Sequence, residues 1–318
     1  MPLANMVMPE KPVMFCMIAT PLDDQERLDE AGFRSHLRRL AEAGIGVYLG
    51  SAGTGEGSAL EPDELQSLYR IGVSELKGKV PVYANPREAH TAKQMHTIAK
   101  MAMDAGVDVV QLYQSQALHG NQVDPRELEG YYRYLLSRID YPVALSIHSA
   151  SGYLAPVELT AKLCNEYKQI VAVNLHGPAT PYFVQLRDRV RPEVRLYGGS
   201  ATLLTWLPLG ANGCQAAEPN YAPKLCQSIV DYYMAGDMKK CGEAYSLMIR
   251  MMQALAVPGQ APGPSRTVKT VLKALGLPGG PAKSPFKVLD DAAVERIRQN
   301  LKALKIPELM HLPAMQRP

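Results

Sequence analysis

Eight short apolar runs, spaced regularly and never strictly alternating with polar residues, constrain this chain more than any other feature. They are "VMFCMIATP" (13–21), "GVYLGS" (46–51), "VPVYANP" (80–86), "VDVVQLY" (107–113), "PVALSIHS" (142–149), "IVAVNLHG" (170–177), "VRLYGG" (194–199) and "NGCQAAEP" (212–219). Continuous apolar character over so few residues suits strands buried on both faces, as in a parallel sheet. Longer stretches of helical periodicity lie between them. "RLDEAGFRSHLRRLAEAG" sets Leu28, Phe33, Leu37 and Leu40 along one face and ends at Gly44, a natural C-terminal stop. "EPDELQSLYRIGVSEL" opens with Pro62 among acidic residues, the signature of a helix N-terminus. Similar segments follow near 90–105, 125–138, 156–166, 178–190, 201–210 and 223–235.

Eight strand–helix units in sequence predict an α/β chain folded as a (β/α)8 TIM barrel. An open doubly wound sheet uses the same units, but no G-x-G-x-x-G follows the first run, and eight equal units fill a barrel without remainder. Beyond the eighth unit, helical stretches near 237–256, 265–275 and 291–304 are punctuated by "VPGQAPGPS" (257–265) and "GLPGGPAKSP" (276–285). The reading is therefore a barrel over residues 1–235 and a helical extension over 236–318 packed on it.

Composition narrows the partners. With 47% hydrophobic and 20% charged residues the 318-residue chain has material for a large core, and its net charge of +3 marks no particular partner. No Lys/Arg block and only four Phe and one Trp argue against nucleic acid. Cys16, Cys164, Cys214, Cys226 and Cys241 are odd in number and widely spaced, without C-x-x-C, so a reducing compartment is expected. The opening "MPLANMVMPEKPVMFCMIATP" lacks a basic segment followed by a sustained apolar one, and no run approaches the roughly 18 residues that span a membrane. A cytoplasmic protein that binds neither membrane nor nucleic acid is the expectation.

Three motifs carry a resemblance. "GTGEGSALEPDE" (53–64), "LYGGSATLLTWLPLGANGCQAAEPNYAP" (196–223) and "LKALGLPGGPAKSPF" (272–286) resemble, in order, segments of the dihydrodipicolinate synthase and N-acetylneuraminate lyase family. The likeness runs from about residue 13 to 304. It implies a class I aldolase barrel. In that family a lysine ending the sixth strand forms an imine with a 2-oxo acid such as pyruvate, and a tyrosine ending the fifth shuttles protons. A Gly-Thr/Ser-x-Gly-Glu loop holds the substrate carboxylate, and the subunits usually assemble as tetramers.

Carried over residue by residue, the pattern is only partly kept. The loop survives as Thr54-Gly55-Glu56 within a "GSAGTGE" that is two residues longer than usual, and Tyr113, followed by Gln114, matches a tyrosine of the fourth loop. The lysine position falls on Asn174, the tyrosine on Ser146 and a commonly present arginine on Ala150. Lys79 and Lys168 precede their strands, at the face opposite to catalysis in this fold, and Lys224 follows the eighth strand at a helix start. An amide cannot form an imine, so the chain is expected to lack Schiff-base chemistry.

What replaces it is suggested by a repeat: A-x-S-x-H in "VALSIHS" answers A-x-N-x-H in "IVAVNLHG". The two-residue period of a strand puts Ser146 with His148, and Asn174 with His176, on one side of adjacent strands. The expectation is an acid/base pair of near-neutral pKa, with Asn174 and Ser146 holding a substrate oxygen. The plainer account is that these histidines satisfy loop carbonyls. Glu56 is expected to brace the backbone that presents Thr54 and Gly55. Three functions stay open: a lyase without an imine, acting on a small carboxylate-bearing substrate; a non-catalytic binder of a small acid; and a metal-dependent enzyme using both imidazoles with Glu218 or Glu56. No cofactor is required by the first two. A homo-oligomer, tetramer or dimer, is implied by the resemblance. His119 ranks below the other two histidines, and Met248, Met251 and Met252 have the spacing of packing or subunit contacts.

Overall fold

The computed structural model describes residues 11–85, 87–116, 123–257 and 263–317. Eight parallel strands close into a barrel in chain order: β1 Val13–Met17, β2 Gly46–Leu49, β3 Val82–Ala84, β4 Val109–Tyr113, β5 Val143–His148, β6 Ile170–His176, β7 Arg195–Gly199 and β8 Gly213–Ala216. Helices alternate with them: α1 Glu30–Glu42, α2 Pro62–Leu76, α3 Ala92–Ala105, α4 Pro125–Leu136, α5 Val157–Glu166, α6 Thr180–Arg187, α7 Leu203–Trp206 and α8 Pro223–Met234. The chain then runs through α9 Met238–Ala254, α10 Pro264–Leu275, α11 Asp291–Leu304, α12 Pro307–Met310 and α13 Pro313–Gln316. The fold is the (β/α)8 barrel with C-terminal helices that the alternating runs predict.

Local chemistry explains the element ends. Asp29 accepts from the Gly32 amide at 2.9 Å to open α1, and Gly44 turns the chain beyond it at φ +75°. Thr91 with Gln94 and Asp124 with Glu127 form capping boxes at α3 and α4. The α1 face carries Phe33, Leu37 and Leu40 as expected, with His36 buried beside them, whereas Leu28 lies before the helix and bridges Leu22. The segment 201–210 is far less helical than its periodicity suggests. A 3-10 turn over Ser200–Thr202 leads into α7, which stops at Trp206 because Pro208 brings no amide to continue it.

Two compact units result, one built on Val82–Gln215 and the other on Val13–Pro81 with Ala216–Pro318. In the first, β4 and all of β5 and β6 except their terminal histidines are buried. In the second, Met248 and Met251 are fully buried in packing while Met252 lines a cavity. All five cysteines are buried and none is in a disulfide. Among the described residues no helix is long and apolar enough to cross a membrane.

Candidate active site

In the unit built on Val82–Gln215, strand register sets the site. Tyr113 pairs with Ser146, Ser146 with Asn174 and Asn174 with Tyr197, which makes one row across β4 to β7. One period further along, His148 pairs with His176. The imidazole centroids are 5.3 Å apart with ring planes tilted by 33°, and the Tyr113 ring meets His148 edge-on at 6.4 Å. Ser146, His148, Asn174, His176 and Tyr113 are thus brought together.

Asn174 belongs to a buried line of amides. It is fully buried, and its Nδ2 donates to Gln111 Oε1, while Gln111 Nε2 donates to Asn85 Oδ1. A chain of three buried amides therefore runs from the end of β3 through β4 to β6. One of the two Asn174 N–H donors, expected to hold a substrate oxygen, is thus directed at Gln111, because a buried amide left unbonded would be costly. Ser146 Oγ, by contrast, is buried without a hydrogen-bond partner among the described residues.

The histidines differ in their bonding. His148 Nδ1 accepts from the Ala150 amide at 2.9 Å, which caps the 3-10 turn Ser149–Ser151 and leaves Nε2 to carry the proton of the neutral ring. The loop behind it is clamped by Gln114, whose Nε2 donates to Ser151 Oγ at 3.0 Å and to the Tyr153 carbonyl at 3.1 Å. Ala150 itself is exposed. His176 Nε2 is buried and makes no hydrogen bond among the described residues.

Both rings titrate below the ordinary histidine range, contrary to the near-neutral expectation. Burial drives His176 down to about 4, the neighbouring His148 pushes it the same way, and the Gln215 side chain partly offsets them. Burial lowers His148 as well, against the pull of Glu88. At neutral pH the pair is therefore two uncharged imidazoles, His148 carrying its proton on Nε2 and His176 with an Nε2 that has no partner among the described residues.

The predicted carboxylate loop belongs to the other unit. Thr54, Gly55 and Glu56 are buried there. The Gly55 amide donates to Ser51 Oγ at 2.8 Å, the Glu56 amide to the Gly53 carbonyl at 3.1 Å and the Gly57 amide to the Ser51 carbonyl at 2.9 Å. Expectation and structure differ here: those three amides are spent within the loop, since seven residues turning this tightly satisfy their own backbone. Glu56, at φ +55°, pairs with the fully buried Lys269 of α10 and accepts from the Lys283 amide at 3.2 Å. Its carboxylate is thus held by the C-terminal segment.

Lys79, Lys168 and Lys224 are exposed. Lys269 is the buried lysine that sequence reasoning missed; its Nζ also donates to the Pro281 carbonyl at 2.5 Å, and burial lowers its pKa against the pull of Glu56. Gln111 and Gln215 were missed too, although a glutamine inside each of the apolar runs "VVQLY" and "GCQA" was the available signal. Glu218, half of the metal expectation, is buried at the start of the 3-10 turn Glu218–Asn220. No three His, Cys, Asp or Glu side chains come together as a metal site among the described residues. His119 lies outside the described residues.

Comparison with known proteins bears on both the fold and the chemistry. The model of the dihydrodipicolinate synthetase family matches residues 12–304. A 4-hydroxy-tetrahydrodipicolinate synthase of Methanopyrus kandleri is 27% identical over 290 residues, which cover 90% of this chain and 94% of that protein. A probable 5-dehydro-4-deoxyglucarate dehydratase of Oceanobacillus iheyensis is 24% identical over 264 residues, covering 81% and 82%. Among solved structures, a dihydrodipicolinate synthase from Bacillus anthracis superposes with a TM-score of 0.83 at 22% identity, covering 93% of this chain and 99% of that one. A prophage protein of the dihydrodipicolinic acid synthase family from E. coli K12, in complex with pyruvate, gives 0.82 at 20% identity, covering 94% and 100%.

Proposed function

The chain belongs to the dihydrodipicolinate synthetase family, and from that premise we propose that it is a lyase acting on a small 2-oxo-acid-like carboxylate without forming an imine. The observation that carries this reading is the register pair His148–His176, with ring centroids 5.3 Å apart and an unpartnered His176 Nε2. His176 Nε2 accepts a proton from the substrate, and the His148 Nε2–H donates one to the departing or developing oxygen. A base whose pKa lies near 4 is weak in the empty site. An anionic substrate beside it favours the imidazolium and raises its basicity on binding.

The absence of a Schiff base is supported by Asn174 at the family's lysine position, bonded to Gln111, and by the commitment of Lys269 to Glu56. Cleavage, addition and hydration all fit a two-histidine site, and relatives named as a synthase and a dehydratase span such reactions. A cytoplasmic homo-oligomer, tetramer or dimer, completes the proposal; five buried cysteines, none in a disulfide, support the reducing compartment.

The test is deuterium exchange at C3 of pyruvate in D2O, followed by NMR, beside borohydride trapping read by intact mass. Exchange that His176→Ala abolishes, with no lysine adduct, supports the proposal. A reduced pyruvyl adduct on any lysine sinks the imine-free part of it. Binding without exchange, for pyruvate and a panel of other 2-oxo acids, favours the non-catalytic binder instead.

A further inference from the structure

The connection from β5 to α5, residues 149–156, carries the Ala150 amide that settles which nitrogen of His148 holds the proton. Ser149, Ala150, Gly152 and Leu154 are exposed along it. A hydrogen bond there competes with water and returns only about 0.5–1.5 kcal/mol, while ordering one residue of chain costs about 1–2 kcal/mol. The Ala150–His148 bond therefore cannot hold its own turn in place. A buried group has to.

Gln114, the first residue beyond β4 and 1% exposed, supplies it. Its Oε1 accepts from the His148 amide at 3.3 Å and the Ala155 amide at 3.4 Å, at the two ends of the connection. Its Nε2 donates to Ser151 Oγ and the Tyr153 carbonyl, in the middle. A primary amide has two N–H donors and two acceptor positions, so this side chain spends its whole capacity on one loop. Stranding a buried polar group costs about 1–3 kcal/mol, and that penalty opposes opening of the loop.

Further contacts confine the turn. Ser151 Oγ donates to the His148 carbonyl at 2.6 Å, and the Tyr153 hydroxyl donates to the Ser115 carbonyl at 2.7 Å, back at the exit of β4. On the other side stands Gly177, just beyond β6. A Cβ there would collide with Ser149 Oγ, and its φ of +100° suits glycine. The turn is thus held between the exits of β4 and β6, the two neighbours of the strand that ends in His148.

We propose that Gln114 is a positioning residue for His148: it holds the turn that presents the Ala150 amide to Nδ1, and so keeps the ring in the tautomer that donates from Nε2. The inference rests on the proposed function for what His148 does with that proton, and adds a residue on which it depends. Gln114 acts through the turn and touches no reacting atom. Held in this way, the ring cannot be protonated at Nδ1 without losing the Ala150 bond; released, it takes a proton on either nitrogen.

The test reads the ring directly, by NMR of the full chain carrying nitrogen-15, so that turnover is not required. Wild type is expected to show His148 protonated at Nε2, a titration midpoint below the ordinary 6.5 and an Ala150 amide protected from exchange. Two variants release the turn: Gln114→Met, which fills the same space without a polar amide, and Ser151→Ala, at a half-buried position. In both, the midpoint should rise, because a bond to the neutral ring has gone. Ala150 exchange should quicken at least about tenfold, as one or two lost hydrogen bonds require. Glu88 and His176 stay beside the ring in all three proteins, so a difference belongs to the turn. C3 exchange of pyruvate should lose about tenfold or more in kcat with KM held. A wild-type proton on Nδ1, or a midpoint and Ala150 exchange unmoved in both variants, overturns the positioning role. So does faster exchange spread through β4 to β6, the mark of a loosened fold, or an unaltered kcat once the ring is released. If wild type catalyses no C3 exchange while the variants still release the ring, Gln114 keeps its role in the turn and the catalytic reading fails.

Discussion

The two histidines decide what the site does with protons, and their burial decides their pKa values. For His176 the folded value of about 4 lies below the ordinary 6.5, so between those pH values the unfolded chain holds more protons than the folded one. Stability is accordingly complete above pH 6.5 and falls as pH drops toward 4. His36, held by burial at about 3 with Nε2 3.0 Å from Asn220 Oδ1, adds to the same loss. Each group contributes at most about 1.4 kcal/mol per pH unit. Denaturant titrations at pH 7 and pH 5 should show the fall, and His176→Asn should reduce it; equal falls in both proteins would mean that His176 is not buried neutral. For activity, kcat/KM for exchange should hold below pH 6 and drop with an acid limb near 4, measured rapidly after a pH jump. An acid limb at 6.5 would place the essential base elsewhere.

At the level of elements, the site depends on strands whose polar residues bond across their neighbours. Asn85, Gln111 and Asn174 join the end of β3, β4 and β6 in a line of buried amides. Asn174→Leu should destabilise the fold by about 1–3 kcal/mol, because Gln111 Oε1 then loses its donor in the interior. Adding Gln111→Leu should recover part of that loss, since the stranded oxygen goes with it. Chemical denaturation of the single and double variants distinguishes this from simple loss of volume, in which the double variant would be the worse of the two. The same line was legible only in part. Period two correctly groups Asn174 with His176, but it cannot say that β4, two strands away, offers Gln111, because register across three strands is a property of the closed sheet.

Across the whole molecule, segments far apart in the chain secure one another. In the unit of Val13–Pro81 with Ala216–Pro318, the Glu56–Lys269 pair lies buried, at 4% and 0% side-chain exposure. Lys269→Met alone should cost about 3–5 kcal/mol by stranding a buried carboxylate, while Lys269→Met with Glu56→Leu should cost less. Equal losses by thermal or denaturant unfolding would show that the pair is not coupled. The fold class, the order of its strands and the histidine repeat were determined by the sequence alone. Apolar runs of strand length and helical periodicity are local properties, and local propensity acts over a few residues. The partner of Asn174, the hold of the C-terminal segment on Glu56 and the depressed titration of His176 were decided only by tertiary structure. Each depends on which distant side chain shares a buried space, and burial, not residue type, sets whether a polar group is bonded, charged or left open for a ligand.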